Sequence, residues 1–186
     1  MKSKKKKSIK KVTTGETKIS NRQLCDTVIM KSGVREVKII SPADVKTADW
    51  VRLKCQFGCD CFGGCFVCPP YTPTPEQMRK VLDCYKRAIL IHFTPEAKIK
   101  ATVALLEREI FLMGVWKAFG LGAGPCYFCR RCPVEKGICR YPERARPAME
   151  ACGIDVFTTA KTAGFQIEVV RTHHQCPNYY GLILVD

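Results

Sequence analysis

The chain has 186 residues, 46% hydrophobic and 26% charged, a balance that predicts one compact domain with its own core and excludes general disorder. Thirteen cysteines is an odd count, and the lysine-rich start is not followed by an apolar stretch, so a secreted disulfide scaffold is excluded and a cytoplasmic protein whose thiols meet metal is expected. Half of the +14 net charge comes from seven lysines within residues 1–11, so the body is only moderately basic, which argues against nucleic acid as a partner while leaving the tail free to meet acidic partners.

Residues 1–20 read as this basic tail, expected to be solvated and disordered, and 21–186 as the folded domain. Leu24 to Met30 suits a short helix or strand, and Val37 to Ile40 a short β-branched strand. Ser41 followed by Pro42 predicts a helix start, with Val45, Ala48 and Leu53 on one face up to Cys55. Thr74-Pro75-Glu76-Gln77 is a capping-box pattern, Thr at N-cap and Gln at N3, that opens a helix to about Tyr85. Ala88 to Phe93 reads as a buried strand. Thr94 and Pro95 repeat the start signal for a long helix with the stripe Ile99, Val103, Leu106, Ile110 and Met113, reaching about Phe119. Pro147 to Cys152 suits a short helix ended by Gly153, and Ile167 to Val170 and Leu182 to Val185 read as strands. No apolar run approaches the roughly 20 residues that cross a bilayer. Helices alternating with short apolar strands predict a single-domain α/β sandwich that carries cysteine-rich loops.

The chemistry concentrates in those loops. Residues 124–142 contain Cys126, Cys129, Cys132 and Cys139 with spacing C-x2-C-x2-C-x6-C. Three thiolates at successive two-residue gaps can surround one face of a cubane, with the fourth arriving from the next turn, and the bacterial ferredoxin run begins with the same triplet. A 4Fe-4S cluster is therefore expected on these four cysteines. Zinc is the alternative, although structural zinc sites generally use separated C-x2-C pairs. Arg130, Arg131, Lys136 and Arg140 place positive charge beside an anionic cluster.

Residues 55–70 hold Cys55, Cys59, Cys61, Cys65 and Cys68 among Gly58, Gly63 and Gly64, with Pro69-Pro70 at the exit. Glycines allow a loop to fold closely around a metal and prolines stop it from continuing as helix. A second metal site follows, with one thiol more than a closed site needs. Cys61, Cys65 and Cys68 also spell the C-x3-C-x2-C of radical enzymes that bind S-adenosylmethionine at an open iron, but the chain is shorter than the roughly 200 residues of a small barrel.

Together these segments resemble a family of small cysteine-rich predicted metal-binding proteins of anaerobic metabolism with no assigned reaction. The resemblance covers about residues 35 to 172. It is carried by Val51-Arg-Leu-Lys-Cys55 with Cys59, by Cys68-Pro-Pro-Tyr71-Thr-Pro-Thr-Pro75, by Gly124-Pro-Cys126 through Cys139-Arg-Tyr-Pro142, by Ala145-Arg-Pro-Ala-Met-Glu-Ala151, and by Gly153-Ile-Asp-Val156. It implies metal binding at Cys55, Cys59, Cys68, Cys126, Cys129, Cys132 and Cys139. Cys61 and Cys65 are additional to that pattern, and Cys65 is taken with Cys55, Cys59 and Cys68 as the first metal set.

Elsewhere, His173 and His174 beside Cys176 read as a surface-loop pair, and Cys25, Cys84 and Cys152 as core packing residues, like Phe111, Trp116 and Phe119. No phosphate loop, dinucleotide fingerprint or nucleophile-base motif is present. Three functions compete: electron transfer to a redox partner protein through closed clusters, a redox or maturation enzyme with an open iron, and a zinc-stabilised binding module.

Overall fold

The computed structural model describes residues 19–172, 174–175 and 177–186, so the basic stretch 1–18, His173 and Cys176 lie outside the described residues. Nine regular elements follow in order: α1 Asn21–Ile29, β1 Val34–Ile40, α2 Trp50–Gly58, α3 Pro75–Leu82, β2 Ala88–Phe93, α4 Ile99–Leu112, β3 Phe119–Leu121, α5 Val156–Thr162 and β4 Tyr179–Leu184. The strands form one antiparallel sheet in the order β1-β2-β4-β3.

Alternation along the central strands builds a core on each face of this sheet. Leu90, Leu182 and Leu184 meet Met78 and Leu82 of α3 and Ala160 of α5 on one side. Ile89, Ile91, Phe93 and Ile183 meet Leu24 and Val28 of α1 and Val103, Leu106 and Ile110 of α4 on the other. β2 is buried along its whole length, because strands cover both of its edges and helices both of its faces. The expected α/β sandwich is thus a mixed α/β domain with a sheet between two helical layers.

The local signals mostly produce the elements expected of them. Thr74 accepts from Gln77 N at 3.2 Å while Gln77 Oε1 accepts from Thr74 N at 2.9 Å, completing the capping box of α3. A second box, Ser20 with Gln23, opens α1, and Ile19 is buried, so folded structure begins just inside the segment read as tail. The helix expected from Ser41 to Cys55 is instead a single 3-10 turn, Pro42–Asp44, followed by α2. The Ser41 hydroxyl accepts from the Ala43 amide and its carbonyl from the Asp44 amide, and the chain then runs irregularly to α2. The α4 helix stops at Leu112 rather than Phe119. Gly114 at φ +102 ends the helical path, and Phe119 to Leu121 leaves it to pair with β4. In consequence Phe111, Trp116 and Phe119 face solvent rather than core, at 52%, 75% and 38% exposure. Ile167 to Val170 forms no strand. Val156–Thr162 forms a helix that was not anticipated, capped by Asp155, whose carboxylate accepts from the Thr158 amide at 3.0 Å. Of the lone cysteines, Cys152 is buried as expected, whereas Cys84 is exposed at the end of α3.

Gly153 locks the two halves together. It ends the 3-10 turn Glu150–Cys152 at φ +74, its carbonyl accepts from Ala48 N at 2.9 Å, and a Cβ there would overlap the Pro75 ring at the start of α3. The left-handed backbone and the overlap together should make Gly153→Ala cost about 2–4 kcal/mol in a urea unfolding titration. Gly114→Ala carries the positive φ with no neighbour within 4 Å, so it should cost only about 1 kcal/mol. Equal losses in the two variants would show that the Pro75 contact contributes nothing.

Candidate metal centre

Both cysteine segments are excursions from the sheet. The first lies between β1 and β2, and the second between β3 and β4. In the first, tight turns replace the helix once α2 ends at Gly58. Phe62 N donates to Cys59 O at 3.2 Å, Gly64 N to Cys61 O at 3.2 Å, Cys68 N to Cys65 O at 3.0 Å, and Gly63 N closes back on Pro69 O at 2.8 Å. Gly63 takes φ +70 within this folded loop, a backbone conformation that favours glycine. Arg52 of α2 anchors the exit by donating to the carbonyls of Thr72 and Pro73 at 3.3 and 2.8 Å.

The second segment is pinned at both ends. At its start Gly122 pairs with Ala148, through Gly122 N to Pro147 O at 2.8 Å and Met149 N to Gly122 O at 2.9 Å. At its end Arg146 grips Glu107 of α4 with two bonds of 2.5 and 2.6 Å, and also donates to Pro142 O and Ala145 O. Between them Tyr127 OH accepts from Ala101 N at 3.3 Å, which lays the Cys126 turn against the first turn of α4.

The two segments meet. A cavity of about 250 Å³ is lined by Cys61 and Cys65 from the first and by Cys126, Cys129, Cys132 and Cys139 from the second, with Asp60, Arg130, Arg131, Phe128 and Tyr141 among its walls. Cys65 and Cys68 are buried, and Cys61, Cys126 and Cys132 pack against them. The Cys65 sulfur lies against the Cys132 thiol and near the Val67 amide. Burial pushes the Cys65 thiol up to about 11 and the Cys68 thiol up to about 12, so each remains protonated until a metal displaces the proton.

All four cysteines expected in the second set therefore face one cavity. Of the first set, Cys65 lines it and Cys68 packs beside it, while Cys61, the surplus thiol, also lines it. Cys59 is exposed beside Cys61 without lining the cavity, and Cys55, on α2, lies toward Glu150 and the buried Cys152. Spacing within either segment does not reveal this convergence, because it depends on how two segments roughly sixty residues apart are folded together.

Lys100 is a further residue of the site that the sequence reading passed over. It is fully buried in the first turn of α4, and its Nζ donates to Arg146 O at 3.0 Å. Burial pulls its pKa down, while the charges of Cys126 and Cys68 act in the opposite sense. The signal was present in helical spacing: Lys100 and Glu107 share the face of Val103 and Ala104, where a purely packing face would be apolar.

The donor set is almost entirely sulfur, which suits soft metals such as zinc, copper(I) and iron-sulfur clusters. Thiolates of a zinc ion sit about 2.3 Å from it and hence within about 4 Å of one another. Among the described residues no three His, Cys, Asp or Glu side chains converge in that way around a point. The six thiols line one cavity.

Fold and site together define a cysteine-rich α/β protein in which thiols of two loops line one cavity. The family model described as predicted metal-binding protein (DUF2284) matches residues 38–185, and the chain belongs to that family. No curated protein and no solved structure shows a significant match. Among the described residues no helix is long and apolar enough to cross a membrane.

Proposed function

We propose that this member of the metal-binding family holds iron-sulfur clusters, of the 4Fe-4S type, and transfers electrons to a redox partner protein. The observation that carries the reading is that six thiols, contributed by both segments, line a single cavity with Arg130 and Arg131 in its wall. A cubane presents iron corners to thiolates spread around it, whereas one zinc ion draws four sulfurs to a point. Ten cysteines lie in or against the two segments when Cys152 is counted with the nine of residues 55–68 and 126–139, enough for two cubanes of four thiolates each. The cavity is open beside the exposed Arg130 and Arg131, which supports exchange with a docked partner that carries an acidic contact surface.

Anaerobically purified protein should be brown, with broad visible absorption, and should contain iron and acid-labile sulfide in comparable amounts. Elemental analysis beside the spectrum decides the matter. Colourless protein carrying stoichiometric zinc, prepared without oxygen exposure, would overturn the cluster reading and leave the zinc-stabilised module in its place.

A further inference from the structure

Lys100 raises a question of charge. It has 0% exposure, and its single hydrogen bond among the described residues is to the Arg146 carbonyl. No carboxylate among the described residues lies within 4.0 Å of its Nζ. Buried lysines are almost always paired, since removing an ammonium from water costs several kcal/mol on the usual scale. Glu150 is near enough for its charge to act on Lys100, but it stands beyond ion-pair distance and burial pushes it toward the neutral acid.

Its neighbours belong to the cysteine segments instead: Nζ donates to Arg146 O at the end of the second, the adjacent Ala101 amide donates to Tyr127 beside Cys126, and Cys126 packs against Cys65 and Cys68. Cys126 of the second segment and Cys68 and Cys65 of the first are the thiols whose charges reach it. Free thiols bring no charge, but a metal takes their protons and converts them to thiolates. The lysine is also held tightly in place, since a Cβ on Gly122 would stand only 3.3 Å from its Cγ.

We infer that Lys100 is the built-in counter-ion of an anionic metal-thiolate group whose ligands come from both cysteine segments, Cys65 and Cys68 on one side and Cys126 on the other. This rests on the reading of the cavity as a cluster site. It deepens that reading in two respects: the ligand set nearest Lys100 crosses between segments, and the fold supplies a fixed cation behind the cluster. A cation held in a region of low dielectric favours the more negative, reduced state of a neighbouring cluster and so raises its reduction potential. Lys100 acts by charge and position, with its ammonium held on the Arg146 carbonyl.

The test compares cluster-loaded and metal-free Lys100→Met with wild type. In the loaded protein the reduction equilibrium should shift at least tenfold toward the oxidised state, a fall of about 59 mV for a one-electron couple. Lys98→Met, two residues away and exposed, should leave the potential in place. In the metal-free protein Lys100→Met should melt at the same temperature as wild type or higher, because it removes an unpaired buried charge. Lys100→Gln, which keeps a donor for Arg146 without the charge, should behave alike and guards against a packing artefact. An unchanged potential in the neutral variants overturns the inference, and so does a metal-free form less stable than wild type in both, since the fold would then itself supply the counter-charge. Wild-type protein that takes up no iron and sulfide brings down the cluster reading itself, an outcome separable from a loaded wild type whose Lys100 variants are silent.

Discussion

On the proposed cluster reading, Cys132→Ala should strip iron from the whole cavity and loosen residues 55–70 as well as its own loop. Cys132 belongs to the second segment, but its thiol lies against Cys65 of the first, and both line the same space. Metal-binding free energy in such loops is also folding free energy, so losing one corner of a shared centre should release both loops. The expected readouts are loss of the visible charge-transfer absorption and rapid proteolytic cleavage between Cys59 and Cys68. Cys65→Ala should reproduce both effects although it sits more than sixty residues away. Cys84→Ala should retain full iron and colour, because Cys84 is exposed at the end of α3. If Cys65→Ala kept all the iron of the second segment, the two segments would serve separate centres and the shared cavity would be a matter of packing alone.

Arg146→Ala should cause the largest stability loss of any single surface-proximal change, about 3–5 kcal/mol, because it leaves Glu107 as an uncompensated buried charge. The pair is bidentate, with Nε and Nη2 at 2.5 and 2.6 Å from the two carboxylate oxygens, and each side chain is only 14% exposed. Glu107 also accepts from Gly120 N at 2.8 Å, so its carboxylate fixes β3 as well as the end of the second segment. Arg146 further ties down Pro142 and Ala145, so the metal loop should lose order along with the pair. Urea titration of the metal-free protein measures the cost directly. The double variant Glu107→Gln, Arg146→Met should lose markedly less than the two single changes added together, because neither then leaves a lone charge. A single-variant loss below about 1 kcal/mol would place the pair with solvent-screened surface bridges.

The legible parts of this protein are those determined by local chemistry. The capping box at Thr74 and Gln77, the apolar run Ala88 to Ile91 of β2 and the apolar face of α4 each follow from residues within one or two turns of one another, and each is present in the fold. The cysteine spacing likewise marks the metal segments, because C-x2-C-x2-C is a property of one loop. Where a segment's fate depends on distant partners, local signals mislead. Ser41-Pro42 carries a start signal yet yields a single 3-10 turn, and Phe119 continues a helical pattern yet joins a sheet because β4 offers it an edge. The site shows the same division more sharply. Residue types and spacing within each segment nominate the thiols. Only the tertiary fold decides that Cys61 and Cys65 line one cavity with Cys126 and Cys132, because that arrangement is fixed by the Gly122–Ala148 bridge, the Glu107–Arg146 pair and the Arg52 anchor. Each of these joins residues far apart in sequence, and no local periodicity encodes them.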